Sequence, residues 1–312
     1  EDSGYMARAA FIMDRLMHKI GLHGKSFIPM IMGFGCNVPA IMATRTIESR
    51  KSRLITMLII PLMSCAGRMP VYVLIAGAFF PKNAGLVVLG LYALGIVLAV
   101  AAAKVMSMFF KDDDLPFVME LPPYRIPTAK SIFRHTWEKG RQYLQKMSGI
   151  ILICSMAIWF LGYFPNHDAY DSVQEQQEHS FIGYVGKAME PVLEPLGFDW
   201  RMGVGIVAGV GAKELVVSTL GVMYADDEPV AAVTEGPEGD TRLQRALVRS
   251  VTPAAALAYM VFILLYFPCI ATFVAINNES GGWKWAIITA VYTIILAWVA
   301  AFITFRVASL LL

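Results

Sequence analysis

Apolar residues run in long stretches along this chain, and the informative polar positions fall inside some of those stretches rather than between them. Residues 84–110, 147–164 and 284–311 are apolar without interruption, and a helix of about 20 such residues crosses the roughly 30 Å of bilayer hydrocarbon. Other stretches are equally apolar but broken. Residues 54–80 contain Pro61, Gly67, Arg68 and Pro70, and residues 250–276 contain Pro268-Cys269. Residues 26–44 hold Gly33, Gly35, Cys36, Asn37 and Pro39, and residues 200–224 hold Gly203, Gly205, Gly209, Gly211, Lys213 and Glu214. Glycine loosens a helix and proline removes a backbone donor. In lipid, such a break is tolerated only where the freed backbone groups face protein or a wet cavity. The pattern predicts an all-α polytopic helical bundle with broken helices, centred on Met32–Met42.

The polar blocks set an orientation. Residues 1–25 place Phe11, Ile12, Leu16 and Ile20 at helical spacing with charges on other faces, and predict an interfacial amphipathic helix. Residues 128–146 alternate Ile132, Phe133, Trp137 and Leu144 with Lys130, Arg134, Lys139, Arg141 and Lys146, and predict a basic helix on the cytoplasmic surface. Segments 45–53, 111–146 and 225–249 carry nearly all the loop Lys and Arg, whereas 81–84, 165–199 and 277–283 carry almost none. Positive charge stays inside, so the first set is expected in the cytoplasm and the second outside. This alternation assumes that 26–44 and 200–224 cross the membrane; re-entrant hairpins would break it.

Composition narrows the class. The chain has 312 residues, of which 57% are hydrophobic and 16% charged; a soluble domain carries about 25% charge. A net charge of +2 gives no footing for nucleic acid. Cys36, Cys65, Cys154 and Cys269 all lie in apolar or broken-apolar segments, unlike a secreted disulfide framework. No targeting segment is recognisable within the sequence, and the opening Glu-Asp-Ser-Gly-Tyr reads as the continuation of a longer protein.

The breaks repeat. Gly21, Gly33 and Gly35 recur 176 residues later as Gly197, Gly209 and Gly211; Asp14 matches Glu190, and Ser3-Gly4-Tyr5 echoes Ile182-Gly183-Tyr184. Pro61 and Cys65 have a counterpart in Pro268-Cys269, and the second copy is longer mainly through 225–249. Duplicated broken helices point to a site at the repeat interface. The division expected is a first repeat and following span over 1–110, a cytoplasmic loop and surface helix over 111–146, and a second repeat with flanking spans over 147–312.

Polar groups at membrane depth are costly and usually functional. Three clusters qualify: Cys36 with Asn37; Met63-Ser64-Cys65 with Arg68; and Lys213-Glu214 with Cys269 on the partner break. Cysteine thiolate is a soft ligand that suits Fe(II), Zn(II) or Cu(I) better than Mg or Ca. A buried Cys is also an ordinary small hydrophobe, and Cys154, in an unbroken stretch, is read that way. Lys213 and Glu214 could form a structural pair, or Glu214 could face a cation path. The chain has no phosphate-binding Gly-rich loop with Lys and Ser/Thr, no His-Glu-x-x-His and no nucleophile elbow, so nothing in it points to an enzyme.

Several uncommon stretches occur in an order that resembles the membrane domain of the bacterial ferrous iron transport protein B (FeoB) family. They are Glu1–Ala10, Gly33-Phe-Gly-Cys-Asn-Val-Pro-Ala40, Ala43–Glu48, Glu120-Leu-Pro-Pro-Tyr-Arg125, Lys213-Glu214 and Pro268-Cys269. The resemblance implies a multi-pass protein of the bacterial cell inner membrane with two Gate motifs, and an N-terminal GTP-binding domain, with its GTP and Mg, absent from this stretch. It implies Fe(II) as the imported substrate, with Cys36, Cys65 and Cys269 lining the path; Asn37 and Glu214 are read from the breaks as assisting ligands. Ala212 departs from the pattern, standing where the repeat would place a cysteine, so the halves are not chemically equivalent. Expected partners are Fe(II), the lipid bilayer, the GTP-binding domain, small accessory Feo proteins and further copies in a homo-oligomer; nucleic acid is not among them. A Gate-type nucleoside or other solute transporter, and a non-transporting membrane scaffold, remain the alternatives.

Overall fold

The structure, a computed structural model, describes residues 5–109, 128–164, 179–224 and 237–311. Among them every regular element is helical, as the pattern predicts. The motif Glu120–Arg125 lies outside the described residues, as do the Glu1–Gly4 end and parts of the polar segments. The chain divides into two compact units. Unit 1 draws on residues 1–66, 94–150 and 271–289; unit 2 draws on 67–93, 151–270 and 290–312.

In unit 1, α1 (Tyr5–Lys19) buries Ala10 and Met17 and leaves Phe11, Ile12 and Leu16 exposed, as an interfacial helix should. Two seven-residue helices follow, α2 (Phe27–Gly33) and α3 (Asn37–Ala43), separated at Phe34–Cys36. Seven residues rise only about 10 Å. The ends of this segment meet: the Lys25 ammonium bonds the Glu48 carboxylate at 2.6 Å, and the Thr56 hydroxyl donates to Ser26 Oγ at 2.9 Å. Residues 26–44 are therefore a re-entrant hairpin with Cys36 at its tip. Helix α4 (Arg50–Ile59) starts on the Ser49 side chain, which accepts from the Ser52 amide, and gives way to a short 3-10 turn at Ile60–Leu62 and extended backbone at Met63.

In unit 2, α5 (Met69–Phe79) completes the broken segment that α4 began. Helix α6 (Ala84–Phe109) is unbroken. The surface helix and the span expected over 128–164 are one continuous helix, α7 (Ala129–Tyr163). Cys154 lies on it, with a side chain outside the described set. Then come α8 (Phe181–Leu193), α9 (Trp200–Gly211) and α10 (Leu215–Tyr224). The Tyr224 hydroxyl reaches both carboxylate oxygens of Asp199 at 2.9 and 2.8 Å, so 200–224 is a second re-entrant hairpin. Residues 237–250, expected as polar loop, form helix α11 (Pro237–Ser250), whose Leu247 is buried and whose Leu243 packs toward Gly221. Helix α12 (Pro253–Leu265) leads to a break at Tyr266–Cys269; α13 (Ile270–Ser280) and α14 (Trp283–Leu311) close the chain.

Four segments are long and apolar enough to cross a membrane: 50–79, 84–109, 253–280 and 283–310. The two broken ones are 67% and 72% buried inside the protein over their most apolar windows, against 22% and 33% for the unbroken ones. Irregular backbone thus sits in protein and continuous helix is left for lipid, as a medium without hydrogen-bonding partners requires.

The hairpins correct the alternation of sides read from the loops. A segment that returns to its own face adds no crossing. Arg45 grips the Glu279 carboxylate with two guanidinium nitrogens, Nε at 2.6 Å, and Arg53 Nη2 donates to the Glu279 carbonyl at 3.3 Å. Loop 277–283 therefore lies on the face of 45–53, not opposite it. Likewise the Asp199–Tyr224 bond returns the end of α10 to the face of residue 199. The basic blocks at 45–53 and 111–146 still mark the cytoplasmic face.

Candidate cation site at the helix breaks

The two copies superimpose in their local geometry at the offset read from the glycines. Gly21 and Gly197 both take positive φ, 77° and 75°, a conformation that costs a side chain dearly. Cys36 and Ala212, also 176 apart, are both extended at hairpin tips, with φ, ψ of −150°, 132° and −148°, 137°. Lys25 pairs with Glu48, and 176 residues on the Arg201 guanidinium lies 5.5 Å from the Tyr224 ring centre. A Cβ on Gly24 would lie 2.7 Å from the Ala10 carbonyl; in the second copy a Cβ on Gly186 would lie 2.9 Å from that of Trp200.

Past the hairpins the offset becomes 203. Ser49 caps onto Ser52, and Thr252 caps onto Ala255 in the same way. Gly33 packs on Met63, and Gly209 packs on Tyr266. The difference between the offsets, 203 − 176 = 27 residues, is an insertion beginning at 225. In this register Met63 corresponds to Tyr266, Ser64 to Phe267, and Asn37 to Lys213. Cys65 corresponds to Pro268 and Cys269 to Ala66, so these two cysteines are offset by one residue.

Each unit ties its hairpin tip to a break. In unit 1 the Ala66 amide donates to the Gly35 carbonyl at 3.0 Å, which brings the chain at Cys65 against the chain at Cys36. Neither residue is in a disulfide, and both are half-buried. Asn37 is 5% exposed, and its Oδ1 is buried with no hydrogen-bond partner. Leaving a buried amide oxygen unsatisfied costs about 1–3 kcal/mol. Gly33 lies beside this oxygen: a Cβ there would be 3.7 Å from it, in ordinary contact, and 3.3 Å from Met63 Cβ. Ser64, next to Cys65, is buried.

In unit 2 the tie runs through a side chain. Lys213, 3% exposed, donates from Nζ to the Phe267 carbonyl at 2.7 Å and lies 3.1 Å from the Tyr266 ring centre. Glu214 is exposed, and its Oε1 would lie 2.5 Å from a Cβ on Gly67. Cys269, half-buried and not in a disulfide, follows two residues after Phe267. Arg68, grouped with Met63–Cys65 by sequence, is fully buried at the start of α5, in the other unit. Of the five residues singled out from sequence, Cys36, Asn37 and Cys65 thus share unit 1, and Glu214 and Cys269 share unit 2. Among the described residues, no three His, Cys, Asp or Glu side chains gather closely enough to hold a metal. What unit 1 offers a cation is a mixed set: thiols, an amide oxygen and backbone carbonyls at the end of a half-helix, where the helix dipole is negative. The contribution of Lys213 was not legible as such; its only signal in sequence was a charge inside an apolar stretch.

The sequence compares closely with known proteins. The Gate family, described as "Nucleoside recognition", matches residues 1–79 and 144–283, and the family described as "Ferrous iron transport protein B C terminus" matches 88–139. A Porphyromonas gingivalis protein named "Fe(2+) transport protein A/Fe(2+) transporter FeoB fusion protein" is 53% identical over 99% of this chain and 41% of its own length. Proteins named "Fe(2+) transporter FeoB" from Staphylococcus aureus and Methanocaldococcus jannaschii are 44% and 43% identical over 99% and 100% of this chain, and each is covered to 45%. The chain therefore spans less than half the length of these relatives. No solved structure matches it.

Proposed function

The chain belongs to the ferrous iron transport protein B family, and from that premise we propose that it is the permease part of an Fe(II) importer of the bacterial inner membrane. The observation that carries the reading is the buried, unpartnered Oδ1 of Asn37 at a hairpin tip, beside the Cys36 thiol and the chain at Cys65. A cation that sheds water needs such oxygens in place of its hydration shell, and thiolate adds preference for a softer ion such as Fe(II) over Mg or Ca. The set carries little fixed charge, which suits passage, because conduction requires binding weak enough to leave. Cys36, Asn37 and Cys65 would hold the ion in unit 1; exposed Glu214 and Cys269 would receive it in unit 2. A GTP-binding domain outside this chain, with its Mg, would drive or gate the movement, and a small accessory protein is a fitting partner, since one relative's name joins Fe(2+) transport protein A to the transporter.

The test is iron-55 uptake by cells whose only ferrous importer is the full-length parent. Cys36→Ser should reduce uptake toward the background of cells without the transporter. Wild-type uptake in that variant, with the protein at normal abundance, would remove Cys36 from the path. The description of the Gate family favours a second reading, a nucleoside carrier; uptake of labelled nucleoside that is lost in the same variant would support it instead.

A further inference from the structure

The two hairpin tips differ most at one pair of equivalent positions, Asn37 and Lys213. In unit 2 the Lys213 ammonium is buried, takes the Phe267 carbonyl at 2.7 Å and sits 3.1 Å from the centre of the Tyr266 ring. Those two residues lie just past the C-terminal end of half-helix α12. A helix C-terminus, a carbonyl and an aromatic face all attract positive charge. The place is built for a cation, and the chain supplies one on a tether.

Unit 1 has the same backbone at the hairpin tip, although its break follows a 3-10 turn where α12 stays helical. Cys36 and Ala212 share one conformation, Gly33 packs on Met63 as Gly209 packs on Tyr266, and Ser64 stands where Phe267 stands. What differs is that Asn37 brings an oxygen instead of an ammonium, and that oxygen is buried without a hydrogen-bond partner. An acceptor has taken the place of a donor at a position that attracts cations. That oxygen calls for a donor or a cation, and the carbonyl and thiol placed with it, which offer no strong donor of their own, favour a cation.

We propose that Lys213 is a tethered cation that permanently fills the second repeat's cation position, so that the chain carries one exchangeable cation site, at Asn37, rather than two. The exchangeable site comprises Asn37 Oδ1, the backbone carbonyl of Ser64, which corresponds to the carbonyl that Lys213 takes, and the Cys36 thiol in the place of Ala212. The ammonium also keeps positive charge fixed at the second tip, which opposes a second ion coming to rest there. This deepens the transport reading, because it says which of the two pseudo-equivalent sites takes the ion.

Reciprocal substitutions in the full-length, nucleotide-free protein decide it, with Fe(II) bound at equilibrium under anaerobic conditions counted per chain by dialysis. Asn37→Lys, which installs the tether in unit 1, should lose one equivalent, while Asn37→Asp, which keeps the oxygen, should retain it. Lys213→Asn should gain one equivalent, and Lys213→Arg, which keeps a cation on the tether, should gain none. Each variant is first required to elute as the wild type does in size exclusion; if Lys213→Asn fails there, the Asn37 pair decides alone. An Asn37→Lys protein with its full complement of Fe(II), or a folded Lys213→Asn protein with no extra equivalent, would overturn the proposal. A wild-type protein that binds no Fe(II) would instead overturn the transport reading on which it rests.

Discussion

Gly209→Ala is the sharpest probe of how the hairpin tips are held. Gly209 lies on α9, two residues before its end, and a methyl group there would be driven against the Tyr266 hydroxyl and would lie 2.5 Å from Val216 Cγ2. Tyr266 and Val216 are both buried, Tyr266 stacks on Phe262 with ring centres 5.6 Å apart, and Val216 sits on the other arm of the hairpin. Neither neighbour is a flexible chain end. Overpacking of this kind costs about 1–3 kcal/mol, and the gain in helix propensity from Gly to Ala returns about 1 kcal/mol at most. With contact on both sides, the upper half of the range applies, and a net loss of about 1–2 kcal/mol follows. The equivalent change in the first repeat, Gly33→Ala, meets Met63 Cβ at 3.3 Å and Cγ at 3.5 Å. A relaxation of a few tenths of an ångström relieves that, which the non-helical chain at Met63 can provide, so the net change should be within about 0.5 kcal/mol of zero. Unfolding of the purified protein in SDS, followed by tryptophan fluorescence, measures both variants on one scale. Equal stability of the two, or a Gly209→Ala protein as stable as wild type, would refute the account of the second tip as closed around Tyr266.

Two further outcomes follow from the fold. Single cysteines introduced at Thr46 and Ser280 in a cysteine-free parent should react with a membrane-impermeant maleimide from the same face, and one at Lys82 from the opposite face; reaction of Thr46 and Ser280 positions from opposite faces would restore the alternation that the hairpins overturn. Acid should weaken the start of the first hairpin: His23 Nδ1 accepts from the Lys25 amide at 3.1 Å, which requires the neutral ring, and burial holds its pKa below the usual 6.5 against the opposing pull of Asp14. With the folded value depressed, the stabilisation is present above the ordinary histidine pKa and is lost as pH falls through the folded one, so wild type should lose stability on acidification through that window while His23→Asn, which keeps a capping oxygen, should not.

Much of this architecture is legible in the sequence because the signals are local. Breaks show as Gly, Pro and polar residues within apolar runs, and the glycine spacing of 176 alone locates Cys36 opposite Ala212. What is not legible depends on which ends meet. Whether 26–44 crosses or returns turns on one ion pair, Lys25 to Glu48, and whether 200–224 does so turns on Tyr224 and Asp199. Counting loop charges cannot distinguish the cases, because a hairpin and a span have the same composition. The placement of 277–283 was misread for the same reason: it carries a carboxylate and no base, yet Arg45 holds it on the basic face. Helix α11 was missed because its charged residues mask the Leu243 and Leu247 pair, which faces inward at helical spacing.

The second shift in register carries a consequence for the cysteines. An insertion of 27 residues changes the offset from 176 to 203, and under it Cys65 pairs with Pro268 and Cys269 with Ala66. Read as motifs, Pro61…Cys65 and Pro268-Cys269 look like one feature twice; in the aligned register they are thiols on successive positions of a duplicated break, Cys65 just before the 3-10 turn that starts at Ala66 and Cys269 just before helix α13. The duplication therefore preserved the backbone, down to the conformations at Gly21, Gly197, Cys36 and Ala212, while the chemistry on it diverged at every position that could meet an ion. Cys36 corresponds to Ala212, Asn37 to Lys213 and Val38 to Glu214. On the transport reading proposed above, a repeated scaffold with different donors would offer an ion different partners in its two halves, soft and neutral in the first, charged in the second. With the Lys213 ammonium already on the Phe267 carbonyl, only the first copy is left to exchange an ion, and that asymmetry is what the proposed single site at Asn37 requires.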